Sequence, residues 1–173
     1  MSYRLKIQLS VLLFCFNSWA YAGQRLFQVE LIVFQQQAPS SEIFEQIDTE
    51  ISPVARYARV SRGSKTLQNV YDRLRRARAY QPFYYQSWRI PVGSGSVSLP
   101  IDISGVDTDL NGWIKVQRGH LLHIIADFEF SPPASGAESL IYRLTEKRRV
   151  LLNDVHYLDH PVFGAVVKVS PVE

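Results

Sequence analysis

Apolar side chains recur at every second residue in several segments of this chain, and this period restricts the possible folds more than any other feature. Leu26 to Phe34 is the clearest case, because Val29, Leu31 and Val33 lie at this period while Glu30 lies on the opposite face. Such alternation places one row of apolar side chains on a single face of a β-strand. The pattern therefore predicts a first strand over residues 26–34.

Five further segments have the composition of strands, with many β-branched and aromatic residues. They are residues 83–91, 113–116, 121–130, 140–144 and 163–169. A tight turn at Arg118 and Gly119 is predicted to join the second and third of them into a hairpin. The side chains expected on the apolar face of its second strand are Ile124, Ala126, Phe128 and Phe130. In the first of the five, we expect only one face to be buried, either that of Phe83, Tyr85 and Ser87 or that of Tyr84, Gln86 and Trp88.

One segment has the spacing of an amphipathic helix. The residues at the i, i+3, i+4 and i+7 positions are Leu67, Val70, Tyr71 and Leu74. This spacing puts them on one face of a helix. Ser64 is predicted to cap the helix at its N-terminus, and the helix is expected to run to about Ala79. A second, short helix is expected over residues 42–47.

One main helix among five or six strands predicts an α+β fold. We expect a single domain that is mainly antiparallel sheet, with the main helix packed on it. A doubly wound parallel fold is disfavoured, because each parallel pair needs a long, usually helical crossover. The second half of the chain has no such helical pattern.

The N-terminus has the three parts of a secretory signal peptide. Arg4 and Lys6 precede an apolar run over residues 7–16, and small residues surround the position after Ala22. The run is shorter than the about 20 residues that span a bilayer. Residues 1–22 are therefore expected to be a cleavable signal peptide, and residues 23–173 a periplasmic domain without a membrane anchor after cleavage.

Charge and cysteine content restrict the function classes of that domain. The only cysteine of the whole chain, Cys15, lies in the predicted signal peptide, so disulfides and thiol chemistry are not expected in the mature chain. Removing Arg4 and Lys6 from the 19 basic residues leaves 17 against 16 acidic residues, a net charge of +1. Binding of nucleic acid through bulk charge needs a much larger basic excess. Any recognition of charge must come from local clusters.

The segment Asp154 to Gly164 holds the residues with the greatest capacity for chemistry. On a helix, His156 and His160 would face the same side and could bind zinc with a third ligand such as Asp159. Pro161 disfavours that helix, because the residue before a proline is pushed to an extended conformation. The alternative is that His156, Tyr157 and Asp159 hydrogen-bond to the backbone at a corner of the fold.

Aromatic and arginine residues form the other candidate group. They include Tyr84, Trp88, Arg89, Arg148 and Arg149. Exposed aromatic rings cover the C–H faces of sugars, and the guanidinium fork of arginine binds carboxylates. These residues therefore suit a ligand that has both sugar faces and carboxylates, and peptidoglycan offers both kinds of group.

Four motifs together resemble the CsiV family of periplasmic peptidoglycan-binding proteins. They are V-E-L-I-V-F (29–34), Y-Q-P-F-Y-Y-Q-S-W-R-I-P (80–91), G-W-I-K-V-Q-R-G-H-L-L-H-I (112–124), and H-Y-L-D-H-P-V-F-G (156–164) after the pair Arg148 and Arg149. The last string is long and unusual. The chain departs from the family at Tyr85, Leu122 and Leu151, where the family usually has His, Tyr and Arg.

The resemblance implies a non-catalytic, cofactor-free protein that binds peptidoglycan in the periplasm of Gram-negative bacteria. It also implies support of a bifunctional peptidoglycan synthase, with an LpoA-type outer-membrane lipoprotein and its penicillin-binding protein as partners. The ligand-binding residues predicted on this basis are Tyr84, Trp88, Arg89, Arg148, Arg149, His156, Tyr157, Asp159 and His160. Two other hypotheses stay open, a metal-dependent hydrolase using His156, Asp159 and His160, and an adaptor that contacts only proteins.

Overall fold

The computed structural model describes residues 23–37, 51, 53–105, 109–132 and 140–173. These residues form ten strands and one helix, and the strands lie in two antiparallel sheets. The predicted signal peptide (1–22) and the predicted short helix (42–47) lie outside the described residues.

The first sheet has the strand order β2-β3-β1-β10-β9. Its strands are β1 (Gln24–Gln36), β2 (Ser61–Arg62), β3 (Tyr80–Gly93), β9 (Val155–Asp159) and β10 (Phe163–Pro171). The central strand β1 pairs with β10 on one side and with β3 on the other. The N-terminal and C-terminal strands of the described domain are therefore neighbours.

The second sheet has the order β4-β6-β7-β8, with β5 also paired to β6. Its strands are β4 (Ser96–Val97), β5 (Ile101–Asp102), β6 (Leu110–Arg118), β7 (Leu122–Phe130) and β8 (Tyr142–Val150). Residues 119–121 join β6 to β7, which confirms the predicted hairpin.

The main hydrophobic core lies between the two sheets. Phe130 of β7 is in contact with both strands β3 and β10 of the first sheet, with ring centroids 4.6 Å from Phe83 and 5.5 Å from Phe163. The predicted apolar face of β7 is buried in this core, as expected. Because both sheets contribute to one core, the described residues form one domain.

Strand β1 is buried on both faces. Val29, Leu31 and Val33 face the inter-sheet core, whereas Ile32 and Phe34 lie in a second cluster on the outer face of the first sheet. The helix α1 (Gln68–Arg76) covers this second cluster through Val70, Tyr71 and Leu74. The helical stripe predicted from the sequence is therefore confirmed, although the helix is shorter than expected.

A buried carboxylate explains where the helix begins. Glu30 of β1 accepts hydrogen bonds from the backbone N–H groups of Thr66 (2.7 Å) and Leu67 (3.1 Å), and from the hydroxyl of Tyr85 (2.9 Å). Ser64 makes no helix cap, because the helix begins at Gln68 with Leu67 in the N-cap position. The N–H of Ser64 instead donates to the side chain of Gln28 (3.0 Å). The predicted Ser64 cap is wrong, since residues of β1 bind this segment in its place.

A β-bulge changes which side chains of β3 share a face, so the expected grouping of Phe83 with Tyr85 and Ser87 is wrong. Val33 pairs with Tyr84 and Phe34 pairs with Pro82, so Phe83 is an extra residue in β3. An extra residue shifts the alternation by one position. Phe83 therefore leaves the face of Tyr85 and Ser87 and packs on Phe130 in the inter-sheet core.

The fold agrees in composition with the α+β prediction, because it is mostly antiparallel sheet with one short helix among the described residues. The layering differs from the expected single sheet with a helix on it. Two sheets bury the main core between them, and the helix covers only part of an outer face.

Candidate ligand-binding surfaces

Two tyrosines flank the buried Phe34 on the outer face of the first sheet, which runs in the order β3-β1-β10-β9 at this point. We call this surface the tyrosine platform (Tyr80, Tyr157, Asp159 and Gln36, on Phe34). The Tyr157 ring stacks on the buried Phe34 ring, with centroids 5.8 Å apart and an interplanar angle of 16°. Tyr80 meets Phe34 edge to face at 5.2 Å. Both tyrosines remain exposed to solvent.

Gly164 allows Tyr157 to lie flat on the sheet. A Cβ atom at Gly164 would be 2.8 Å from Cζ of Phe34 and 3.0 Å from Cε2 of Tyr157. Any other residue would therefore push Tyr157 away from Phe34. This close approach gives a structural reason for the glycine at the end of the string from His156 to Gly164.

Polar groups border the aromatic surface. The Tyr157 hydroxyl donates to Asp159 Oδ1 (2.9 Å), and Gln36 Nε2 donates to the backbone oxygen of His160 (2.8 Å) and more weakly to Asp159 Oδ1 (3.4 Å). Partial burial and the bond to Asp159 both raise the pKa of Tyr157 above its usual value. The platform therefore presents a neutral phenol beside an exposed carboxylate.

His160 follows β9 directly but packs into the fold rather than onto the platform. Its ring lies near the rings of Tyr142 (5.9 Å) and Phe163 (4.9 Å), and its Nδ1 accepts the N–H of Val162 at 3.2 Å. Burial lowers the pKa of His160, and the nearby Asp159 partly opposes that shift.

His156 lies on the opposite face of β9 from Asp159. It pairs with Val167, whose side chain is in the inter-sheet core, and its Nε2 accepts the N–H of Leu151 at 3.0 Å. The structure thus does not bring His156, Asp159 and His160 together as the hydrolase hypothesis requires. Within the described ranges, no group of three or more His, Cys, Asp or Glu residues could hold a metal ion.

Tyr84 and Trp88 lie on the inner face of the first sheet. Both are partly buried against the inter-sheet core, and their ring centroids are 6.4 Å apart. Ala58 and Val60 pack against the same core cluster. Burial and the nearby Asp102 raise the pKa of Tyr84.

The predicted arginines point in different directions. Arg89 lies next to Trp88 on β3 and therefore faces the other side of the sheet, opposite Gln28. Arg148 pairs with the side chain of Glu146 on the inner face of β8. Arg149 is on the outer face of β8, opposite His123. The nine predicted residues therefore do not form one surface.

Arg149 instead borders a groove of about 400 Å³ at the start of β1, which we call the basic groove. The residues that line it are Arg25, Phe27, Arg118, Gly119, His120, Leu121, Leu122, Arg149, Val150, Leu151 and Leu152. They come from β1, from the turn between β6 and β7, and from the turn between β8 and β9.

Two platform residues, Tyr157 and Asp159, were predicted from the sequence, but their neighbours Tyr80, Gln36 and Phe34 were not. The i, i+2 spacing of Tyr157 and Asp159 does predict a common face if residues 155–159 are a strand. The missing information is the strand order, because only the pairing of β9, β10, β1 and β3 places Tyr80 near Tyr157.

The fold and these surfaces define the class as a small antiparallel two-sheet domain with an exposed aromatic surface. Residues 54–172 match the CsiV family, described as a peptidoglycan-binding protein. The match covers most of the chain, which therefore belongs to the CsiV peptidoglycan-binding family. No curated protein and no solved structure matches the chain. The helix in the described part of the chain is too short to cross a membrane.

Proposed function

We propose that this protein binds the glycan strands of peptidoglycan in the periplasm through the tyrosine platform, without catalysing a reaction. The observation that carries the proposal is the exposed Tyr157 ring, which lies flat on Phe34 beside the carboxylate of Asp159. One face of that ring is occupied by Phe34, so the other is available to a ligand. Family membership supports peptidoglycan as the ligand.

The chemistry of the platform suits a sugar. An aromatic face covers the C–H groups of a pyranose ring, while the carboxylate of Asp159 and the amide of Gln36 offer hydrogen bonds to its hydroxyl and acetamido groups. Each such hydrogen bond contributes only about 0.5–1.5 kcal/mol, because it replaces a bond to water. We therefore expect weak binding of single fragments, and detectable retention on whole sacculi because they present the ligand at high local density.

Co-sedimentation with purified sacculi tests this proposal. Tyr157→Ala should reduce the apparent affinity for sacculi about two- to ten-fold, by removing one stacking contact of roughly 0.5–1.5 kcal/mol. Tyr57→Ala is the matched control, since Tyr57 is exposed to the same degree (39% against 38%) but lies in the segment that bonds to Pro100. Wild-type retention by folded Tyr157→Ala would overturn the proposal. Failure of the wild-type protein itself to sediment with sacculi would favour the adaptor hypothesis.

We further propose that the protein supports a bifunctional peptidoglycan synthase together with an LpoA-type lipoprotein activator. This role rests on the family resemblance and places the partners next to the peptidoglycan that the platform binds. The glycan polymerisation rate of the purified synthase with its activator should rise when this protein is added. An unchanged rate and no association with either partner would contradict this role.

Periplasmic function requires export, and we propose that residues 1–22 are removed as a signal peptide. The intact mass of protein from the periplasm should correspond to residues 23–173. Retention of residues 1–22 would contradict this proposal.

A further inference from the structure

The basic groove combines exposed leucines with cationic side chains at one end of the domain. Leu121, Leu151 and Leu152 are 45%, 53% and 38% exposed, respectively. Leu121 lies in the turn between β6 and β7, and the other two lie in the turn between β8 and β9. Separate parts of the sequence thus place apolar side chains at the same rim.

The turn that carries Leu151 and Leu152 is held in place by hydrogen bonds. The N–H of Leu151 donates to Nε2 of His156 (3.0 Å), and the N–H of Asn153 donates to the carbonyl of Val169 (2.8 Å). Asn153 adopts the left-handed conformation of this turn, with a φ of 66°. The leucines are therefore displayed to solvent by a fixed backbone.

The cations of the groove are available to an anionic ligand. Arg118 donates to the carbonyls of Gly23 and Val92 through Nη1, while Arg25 and Arg149 are exposed. In the described part of the chain, no ion pair involves any of these three arginines. Of the residues that the structure describes, no Asp or Glu lines the groove, although the exposed Asp154 lies in the adjoining turn.

We propose that this end of the domain binds the surface of a membrane that contains anionic phospholipid. Leucine side chains enter the boundary between headgroups and acyl chains, and arginines beside them bind lipid phosphates. A soluble anion would account for the arginines but leave the exposed leucines without a role. The combination of apolar rim and exposed cations fits a bilayer surface, where both kinds of group are satisfied at once.

The groove and the tyrosine platform lie at opposite ends of β1. Arg25 is in the groove and Gln36 is in the platform, and eleven residues of extended strand span about 36 Å. A protein bound to a membrane through the groove would therefore hold its platform away from that membrane. The membrane contact itself does not depend on the function of the platform.

Vesicle flotation tests the proposal. Vesicles with about 30 mol% phosphatidylglycerol in phosphatidylcholine should bind the wild-type chain of residues 23–173, and pure phosphatidylcholine should bind it much less, because the headgroup charge attracts the arginines. The double variant Arg25→Gln, Arg149→Gln should lower the partition coefficient about five-fold for each arginine removed. The double variant Leu121→Ser, Leu151→Ser should lower it by at least about ten-fold, since each leucine loses its apolar contact.

Matched controls separate this surface from general effects. Leu99→Ser removes a leucine of similar exposure (46%) outside the groove, and Arg59→Gln removes an exposed arginine outside it. Both control variants should bind the vesicles like the wild-type chain. Groove variants should also bind sacculi normally, which distinguishes this proposal from the platform proposal. Equal binding of both vesicle types, or wild-type vesicle binding by the groove variants, would overturn it, as would a wild-type chain that binds no vesicles.

Discussion

Glu30 is a buried carboxylate that holds the segment before α1 against the first sheet. It lies on the opposite face of β1 from Val29 and Leu31, as the alternation in the sequence predicts. The structure buries it under the segment before α1, where it accepts bonds from Thr66, Leu67 and Tyr85. Those donors are 36 to 55 residues away in sequence, so no local signal predicts them.

Tyr85→Phe tests the importance of this buried network. The substitution removes a hydroxyl that donates to Glu30 and accepts the N–H of Leu67 at 2.8 Å. We expect the free energy of unfolding to fall by about 1–3 kcal/mol, because the carboxylate of Glu30 loses one buried hydrogen bond and the N–H of Leu67 keeps only its longer bond to Glu30. Urea unfolding measures the change, with Gln86→Ala on the same strand as an exposed control. A loss no greater than that of the control would show that the network is not important for stability.

His160 is expected to make stability depend on pH. Burial lowers its pKa in the folded state, so the unfolded chain takes up a proton at a higher pH than the folded chain does. The stabilisation by neutral His160 is complete above the unfolded pKa of about 6.5 and is lost as pH falls through the lowered folded pKa. The free energy of unfolding should therefore decrease as the pH falls from about 7.5 to about 5.

The variant His160→Gln should reduce the pH dependence of unfolding, measured by urea titration across that range. His120→Gln is the control, because His120 is exposed in the turn between β6 and β7. An unchanged pH profile in His160→Gln would show that other groups cause the dependence.

For the strands and the helix, the spacing of apolar residues predicted where most segments lie. It could not predict where each segment ends or which strands pair with each other. The hairpin of β6 and β7 and the apolar stripe of α1 were predictable because each depends on local spacing. Strand β9 was not, since His156 to His160 contains polar residues that equally suit a corner. Its charge and polarity match an edge strand, which has one unpaired side.

The structure gives a reason for the glycine at the start of the motif of residues 112–124. Its φ is +134°, and a Cβ atom there would clash with the carbonyl oxygen of Asp127 on β7 and lie 2.9 Å from Cα of Phe128. Gly112→Ala should lower the free energy of unfolding by at least about 3 kcal/mol, because the strain in the backbone is added to the clash.

Gly95→Ala is a matched control for Gly112→Ala. Gly95 also has a positive φ of 69°, but a Cβ atom there would meet no heavy atom within 4 Å. Gly95→Ala should therefore lower the free energy of unfolding by only about 1 kcal/mol, which is the cost of a left-handed backbone alone. Equal losses in the two variants, measured by urea unfolding, would show that the contact between β6 and β7 at Gly112 is not tight.

For the whole molecule, the order of one helix and several strands predicted a mainly antiparallel domain, but the second sheet was not predictable. The expected single sheet followed from counting strands. The two-sheet arrangement depends on β1 pairing with the C-terminal β10, a contact between the two ends of the domain. The same pairing builds the platform, which is why only Tyr157 and Asp159 of its four exposed or polar residues were predicted.

The central claim is that the sugar contact lies on the tyrosine platform and not in the basic groove. NMR titration of the isotope-labelled chain of residues 23–173 with a soluble disaccharide muropeptide tests it most directly. We expect the largest chemical-shift changes to fall on Tyr80, Tyr157, Asp159 and Gln36, and Tyr157→Ala to abolish them. Changes concentrated on the basic groove, at Arg149 and its neighbours, with the platform unaffected, would contradict it.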